Sequence, residues 1–187
     1  MRTGGIMEQQ IVYVSVDVEA SGSRPGKHSM LSIGADARLT DGTKLGLFSV
    51  NLAPLPDGEF CPDTMENFWQ KHPQAWQATQ IDQKDPLEGM LLFAHWLENL
   101  QKTLHAQTVF VAYPLAFDYD YIMYYSRRFL DQDLFNKGID MRSMAMGILG
   151  VDFDKTSKAH MPAEWQAMEE MTHIAVEDAT QQADLFF

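Results

Sequence analysis

Ile11-Val12-Tyr13-Val14-Ser15-Val16-Asp17-Val18-Glu19-Ala20-Ser21-Gly22 opens the interpretable part of the chain. Residues 11–17 are apolar and β-branched almost throughout, the composition of a buried strand. Side chains alternate along a strand, so Asp17 and Glu19 fall on one face. Two carboxylates aimed the same way at a buried strand end are costly unless a cation lies between them. On its own the pair is weak, because acids at a strand terminus entering a polar loop ordinarily face solvent.

Working outward, residues 21–27 read as a Gly-, Ser- and Pro-containing loop. Residues 30–37 and 44–51 read as two further strands, joined by the hairpin signal Asp41-Gly42. The three strands form a meander. Residues 54–62 are a turn-rich connection. A short helix is expected from Pro62 through Phe68 and Trp69. A longer one starts near Pro86, with Leu87, Met90, Leu91, Ala94 and Leu97 at helical spacing. Residues 108–113 read as a strand and 118–129 as a helix. Asp140 is the expected N-cap of a helix over 141–149, and 155–161 is expected to be a mobile loop. Residues 174–187 read as a helix with a small-residue face of Ala175, Ala179 and Ala183. A meander followed by alternating helices and strands predicts an α/β domain with a mixed central sheet. The chain reads as one domain over 1–187, with a flexible segment at 1–10.

The chain has 187 residues, 45% of them hydrophobic and 11% aromatic, which excludes a disordered polymer. No apolar run approaches the roughly 20 residues that cross a bilayer. The first residues lack the long apolar stretch of a secretory signal. A lone cysteine, Cys61, permits no internal disulfide. These features predict a cytoplasmic protein. A net charge of −12 argues against gripping long nucleic acid by phosphate neutralisation alone. It suits a short footprint such as a strand end.

Two further signals accompany the first acids. Phe117-Asp118 follows the strand at 108–113, where an acid at a helix start is also a routine dipole partner. Thr172-His173-Ile174-Ala175-Val176-Glu177-Asp178 places a histidine before the last helix and an aspartate on its second turn. A histidine at such a boundary is ordinarily a capping or surface residue. Together, in this order and spacing, the residues resemble the DEDDh family of 3′→5′ exonucleases, which includes proofreading subunits, ribonuclease T and oligoribonuclease. Residues 16–22 look like its first motif, 111–118 like its second, and His173 to Asp178 match the H-x4-D of its third. Residues 29–34 and Ile139-Asp140 fall where members carry similar segments. Many members have His-Asn before the Phe-Asp of the second motif, whereas this chain has Tyr113-Pro114. That loop contacts substrate in relatives, so the difference bears on substrate preference.

The resemblance implies a ribonuclease H-like fold and two-metal-ion hydrolysis. Asp17, Glu19, Asp118 and Asp178 would hold two Mg²⁺ or Mn²⁺ ions, hard cations that favour oxygen. His173 would take a proton from the attacking water, a role an imidazole suits near neutral pH. The product would be a nucleoside 5′-monophosphate from the 3′ end of single-stranded RNA or DNA. Glu19, Ala20, Ser21 and Gly22 would face the terminal sugar. Phe68, Trp69 and Phe117 are candidates to stack on bases, with core packing as the alternative for each. Asp118 is preferred over Asp120 as the ligand, because Asp120 lies about 200° further round a helix. A homodimer is an expectation by analogy, with apolar surface at 121–129 to support it. Two rival readings stay open: an inactive relative that binds nucleic acid or a protein without cleaving, and a small-nucleotide phosphodiesterase.

Overall fold

The computed structural model describes residues 9–165 and 171–187. The segment expected to be flexible, 1–10, lies outside these residues except for Gln9 and Gln10. β1 (Gln10–Ala20) runs through both acids rather than stopping at the first. β2 (Met30–Leu39) pairs antiparallel with β1, and β3 (Lys44–Asn51) antiparallel with β2. β4 (Ala106–Ala112) joins the other side of β1 in parallel, and the short β5 (Gly138–Asp140) lies parallel to β4. The order β3-β2-β1-β4-β5 is the expected mixed sheet of a meander extended by parallel strands.

Helices cover both faces. They are α1 (Pro62–Asn67), α2 (Pro73–Thr79), α3 (Pro86–Leu104), α4 (Leu115–Leu130), α5 (Met141–Leu149) and α6 (Ala175–Phe186). The even-numbered residues of β1, Val12 to Ala20, pack into the main core with Phe93 and Leu97 of α3 and Tyr121, Ile122 and Tyr125 of α4. The odd-numbered face, with Asp17 and Glu19, lies under α6, which packs on β1 and β2. Ala175, Ala179 and Ala183 are buried against the sheet, so the small-residue face sets a close approach.

Gly34, the β2 partner of Asp17, completes that approach. A Cβ there would lie 2.0 Å from the carbonyl carbon of Ala175. Since this neighbour is backbone, Gly34→Ala must push the start of α6 away from the sheet. It should destabilise the fold by about 1–3 kcal/mol and lower turnover by moving Asp178. Thermal unfolding and a rate assay check both, and unchanged values would mean that α6 tolerates a shift here.

Several expectations are corrected. The inward stripe of α3 is Met90, Phe93, Ala94 and Leu97, while Leu87 and Leu91 are 43% and 41% exposed. Gly89 sets this rotation: Leu52 packs so closely that a Cβ would meet its Cδ2 at 2.2 Å. α4 begins at Leu115 rather than at Asp118, because Asp140 reaches back from 25 residues away to accept the Leu115 N–H at 2.7 Å. The same carboxylate caps α5, as read from the sequence, by accepting from the Ser143 N–H. The stretch 121–129 is largely interior rather than a dimer surface: Tyr121, Ile122, Met123 and Tyr125 are buried. The segment expected to be a mobile loop holds two short 3₁₀ turns, Phe153–Thr156 and Lys158–His160. Arg142 of α5 bonds Thr156 Oγ1 and the Phe153 carbonyl there. α2 was not foreseen.

Candidate active site

The site lies where β1 runs past its partner. β1 and β4 pair only as far as Ser15↔Val111, so the strand edge beyond is open. Asp118, in the first turn of α4, fills that opening: its Oδ1 accepts the Val18 N–H at 2.9 Å. An acid from the helix on one face is thereby carried to the end of the strand whose own acids face the other. Asp120, two residues on, is exposed, as the helical rotation predicts.

Asp178 comes from α6. It lies in the first turn of the helix rather than the second. Its two oxygens accept the backbone N–H groups of Thr172 and His173, each at 3.1 Å. His173 adopts a left-handed backbone, φ 56°, which lets consecutive N–H groups converge on one carboxylate. The turn points the imidazole inward, with Nδ1 3.9 Å from Asp178 Oδ2. Glu19, His173 and Asp178 each offer a ligand-type atom, all within 4.8 Å of one another. Asp17 sits two residues before Glu19 on the same strand face, its Oδ1 accepting from Gln182 Nε2 at 2.8 Å.

Asp17, Glu19, Asp118 and Asp178 are 8%, 7%, 4% and 0% exposed. Acids this buried and this close resist ionising together. Burial pushes the Glu19 carboxyl well above its usual range, and the charges of Asp178 and Asp118 add to the push. Burial also pushes Asp118 up to about 7, against the opposing pull of the Val18 N–H. A cluster that strains against its own charge is the donor set a divalent cation relieves, and carboxylate oxygens suit a hard one.

Aromatic rings enclose the histidine. His72, the N-cap of α2, lies with its ring centroid 4.2 Å from that of His173, and Phe68 lies at 4.7 Å; both meet it edge-on. His72 was missed in the sequence, since nothing local ties it to a residue 101 positions on. Gln182 was missed too, although its place one turn past Asp178 puts it on the same helix face.

The residues expected to meet substrate divide. Trp69 is corrected: it is 2% exposed and donates its indole N–H to the Ala20 carbonyl, so it braces the end of β1 from within. Ser21 is fully buried, donating to the Glu59 carbonyl and accepting from the Ser29 N–H. Gly22 accepts from the Tyr121 hydroxyl. Both therefore hold the backbone after Glu19 in place. Phe117 is 37% exposed beside Asp118. Tyr113, which with Pro114 departs from the family pattern, follows β4 and donates its hydroxyl to the Thr156 carbonyl.

Comparison with models of protein families finds no match. A curated relative, the 3′-5′ DNA exonuclease Cap18 of Escherichia coli, is 32% identical over 176 residues, which is 94% of this chain and 89% of that protein. Among solved structures, the nuclease domain of 3′hExo, a DEDDh family member bound to rAMP, matches with a TM-score of 0.68 and 13% identity. That match covers 97% of this chain and 91% of the other. Product-bound exonuclease I matches with a TM-score of 0.68 and 16% identity, over 95% of this chain and 42% of the larger protein. These structures carry the likeness of fold, and the sequence relative carries the kinship: the chain belongs to the DEDDh family of 3′→5′ exonucleases.

Proposed function

We propose that the protein is a metal-dependent exonuclease that releases nucleoside 5′-monophosphates from the 3′ end of single-stranded DNA. The observation that carries this reading is the meeting of Glu19, His173 and Asp178 ligand atoms within 4.8 Å, with buried Asp118 held on the Val18 N–H beside them and buried Asp17 two residues before Glu19 on the same strand. The choice of DNA is supported by the 32% identity to a relative named for DNA.

Asp17, Glu19, Asp118 and Asp178 would hold Mg²⁺ or Mn²⁺, and a pair of such ions would supply charge stabilisation to the attacking and leaving oxygens. Each carboxylate is presented by a fixed donor or by the strand itself. The Val18 N–H holds Oδ1 of Asp118, and two backbone N–H groups hold Asp178. His173 accepts the proton of the attacking water, its ring steadied by Phe68 and His72. The water oxygen bonds to phosphorus, the bond from phosphorus to the 3′ oxygen breaks, that oxygen takes a proton from solvent, and His173 returns the one it accepted to solvent. Glu19 faces the terminal sugar from a strand end that Ala20, Ser21 and Gly22 hold in place, with Phe117, 37% exposed, as the aromatic surface for a base.

The test is incubation of DNA and RNA oligonucleotides of matched sequence, each 5′-labelled, with and without a chelator. The expected result is a ladder shortening from the 3′ end, on DNA in preference to RNA, that disappears after exhaustive chelation. Faster loss of RNA would reverse the substrate assignment. Cleavage that survives chelation would sink the metal mechanism. An intact strand identifies a binding protein, and cleavage of dinucleotides alone identifies a small-nucleotide phosphodiesterase.

A further inference from the structure

Gln182 has no counterpart in the motifs that mark this site, yet it is among the most buried polar side chains, at 1% exposure. Its Nε2 donates to Asp17 Oδ1 at 2.8 Å across 165 residues of sequence. Its Oε1, also buried, finds no hydrogen-bond partner among the described residues. A half-satisfied amide in the interior is unfavourable, and an aliphatic side chain of similar size would fill the space without that cost. Packing therefore does not explain why a glutamine stands here. Its contact with Asp17 does.

We propose that Gln182 is a positioning residue that orients the Asp17 carboxylate for cation binding. The proposal rests on the reading of Asp17 as a metal ligand. The geometry supports a directed role. Gln182 lies four residues after Asp178, so the helix that delivers one acid to the site also delivers a donor to another. Holding Oδ1 fixes the plane of the carboxylate. A carboxylate that must be reoriented on binding loses affinity, and removing such outer partners typically costs about 10–100-fold in metal affinity or activity.

The test uses the full chain with Gln182→Met, which keeps length and loses the donor, and Gln182→Thr, which is smaller. Mn²⁺ binding is measured without substrate, by the loss of free Mn²⁺ signal in electron paramagnetic resonance. The expected result is a Kd about 10–100-fold weaker in both variants, with the KM for metal rising more than kcat falls. In an Asp17→Asn background, Gln182→Met should weaken binding no further, because the oriented group is already gone. A merely structural glutamine would instead lower the unfolding temperature of the metal-free protein, leave the Mn²⁺ Kd unchanged, and add its effect to that of Asp17→Asn. Failure of both variants to fold would likewise assign the residue to structure and overturn the proposal. If the unaltered protein takes up no Mn²⁺, the reading of the acids as a metal site fails. If it binds and Gln182→Met matches it, only the role of Gln182 fails.

Discussion

Asp118→Asn should abolish metal-dependent cleavage while the protein stays folded, and Asp120→Ala should leave most activity intact. Asparagine keeps a carbonyl oxygen where Asp118 Oδ1 accepts the Val18 N–H, so the open edge of β1 stays satisfied. What it removes is the charge. For a carboxylate that touches the cation directly, the loss should exceed the roughly 10–100-fold that an outer partner costs. The metal-free protein should respond in the opposite sense. Burial lifts the Asp118 carboxyl to about 7, whereas an unfolded aspartate titrates near about 3.9. Across that interval the folded state holds a proton that the unfolded state has released. Stability is therefore full below about pH 4 and is lost as pH rises through about 7. Asparagine cannot ionise, so in a chelator Asp118→Asn should flatten this decline, and added metal should flatten it in the unaltered protein. Asp120 is exposed, and its removal should shift stability by no more than about 0.5 kcal/mol. Labelled-oligonucleotide turnover and unfolding temperature against pH decide the matter. A dead Asp120→Ala beside an active Asp118→Asn would mean that the other aspartate serves the site.

What could be read from the chain and what could not divide along a physical line. The strand at Val12 to Val18, the Asp41-Gly42 hairpin, the Asp140 cap and the alanine face of α6 are local patterns, and each appears where its periodicity or turn chemistry places it. The acids were legible because motif spacing gathers signals that are weak one by one. Errors arose where a distant partner decides. α4 starts early because the Asp140 side chain caps it from a separate element. α3 is rotated because Gly89 admits Leu52. Tyr121 and Tyr125 look like surface aromatics in sequence, but each hydroxyl finds a buried backbone partner near the loop after β1, at Gly22 and Met30. Trp69 is the clearest instance. An indole is equally fit to stack on a base or to brace a strand, and only its bond to Ala20 separates the two. Gln182 and His72 carry no pattern of their own, and their meaning exists only in the folded contacts.

His173→Ala should slow the chemical step by about 10²–10⁴-fold, the usual consequence of losing a general base. Its side chain is 19% exposed and rests against Phe68 and His72 rather than filling the main core, so truncation should cost little stability. The backbone is the greater concern, because φ is 56° and most side chains avoid that region. Asparagine tolerates it well, so His173→Asn serves as a second variant in which the turn presenting two N–H groups to Asp178 is retained. Both variants should still bind Mn²⁺ and single-stranded DNA. In the unaltered enzyme the rate should fall as pH drops and the imidazole takes up a proton, because a protonated base cannot accept one from water. In the variants that limb should vanish. Rate should instead climb with pH as hydroxide replaces the assisted water, recovering part of the loss under alkaline conditions. If the variants keep the wild-type pH profile, a different group removes the proton. A loss of Mn²⁺ binding as large as the loss of rate would make His173 a ligand beside Glu19 and Asp178, an arrangement that their 4.8 Å spacing would accommodate.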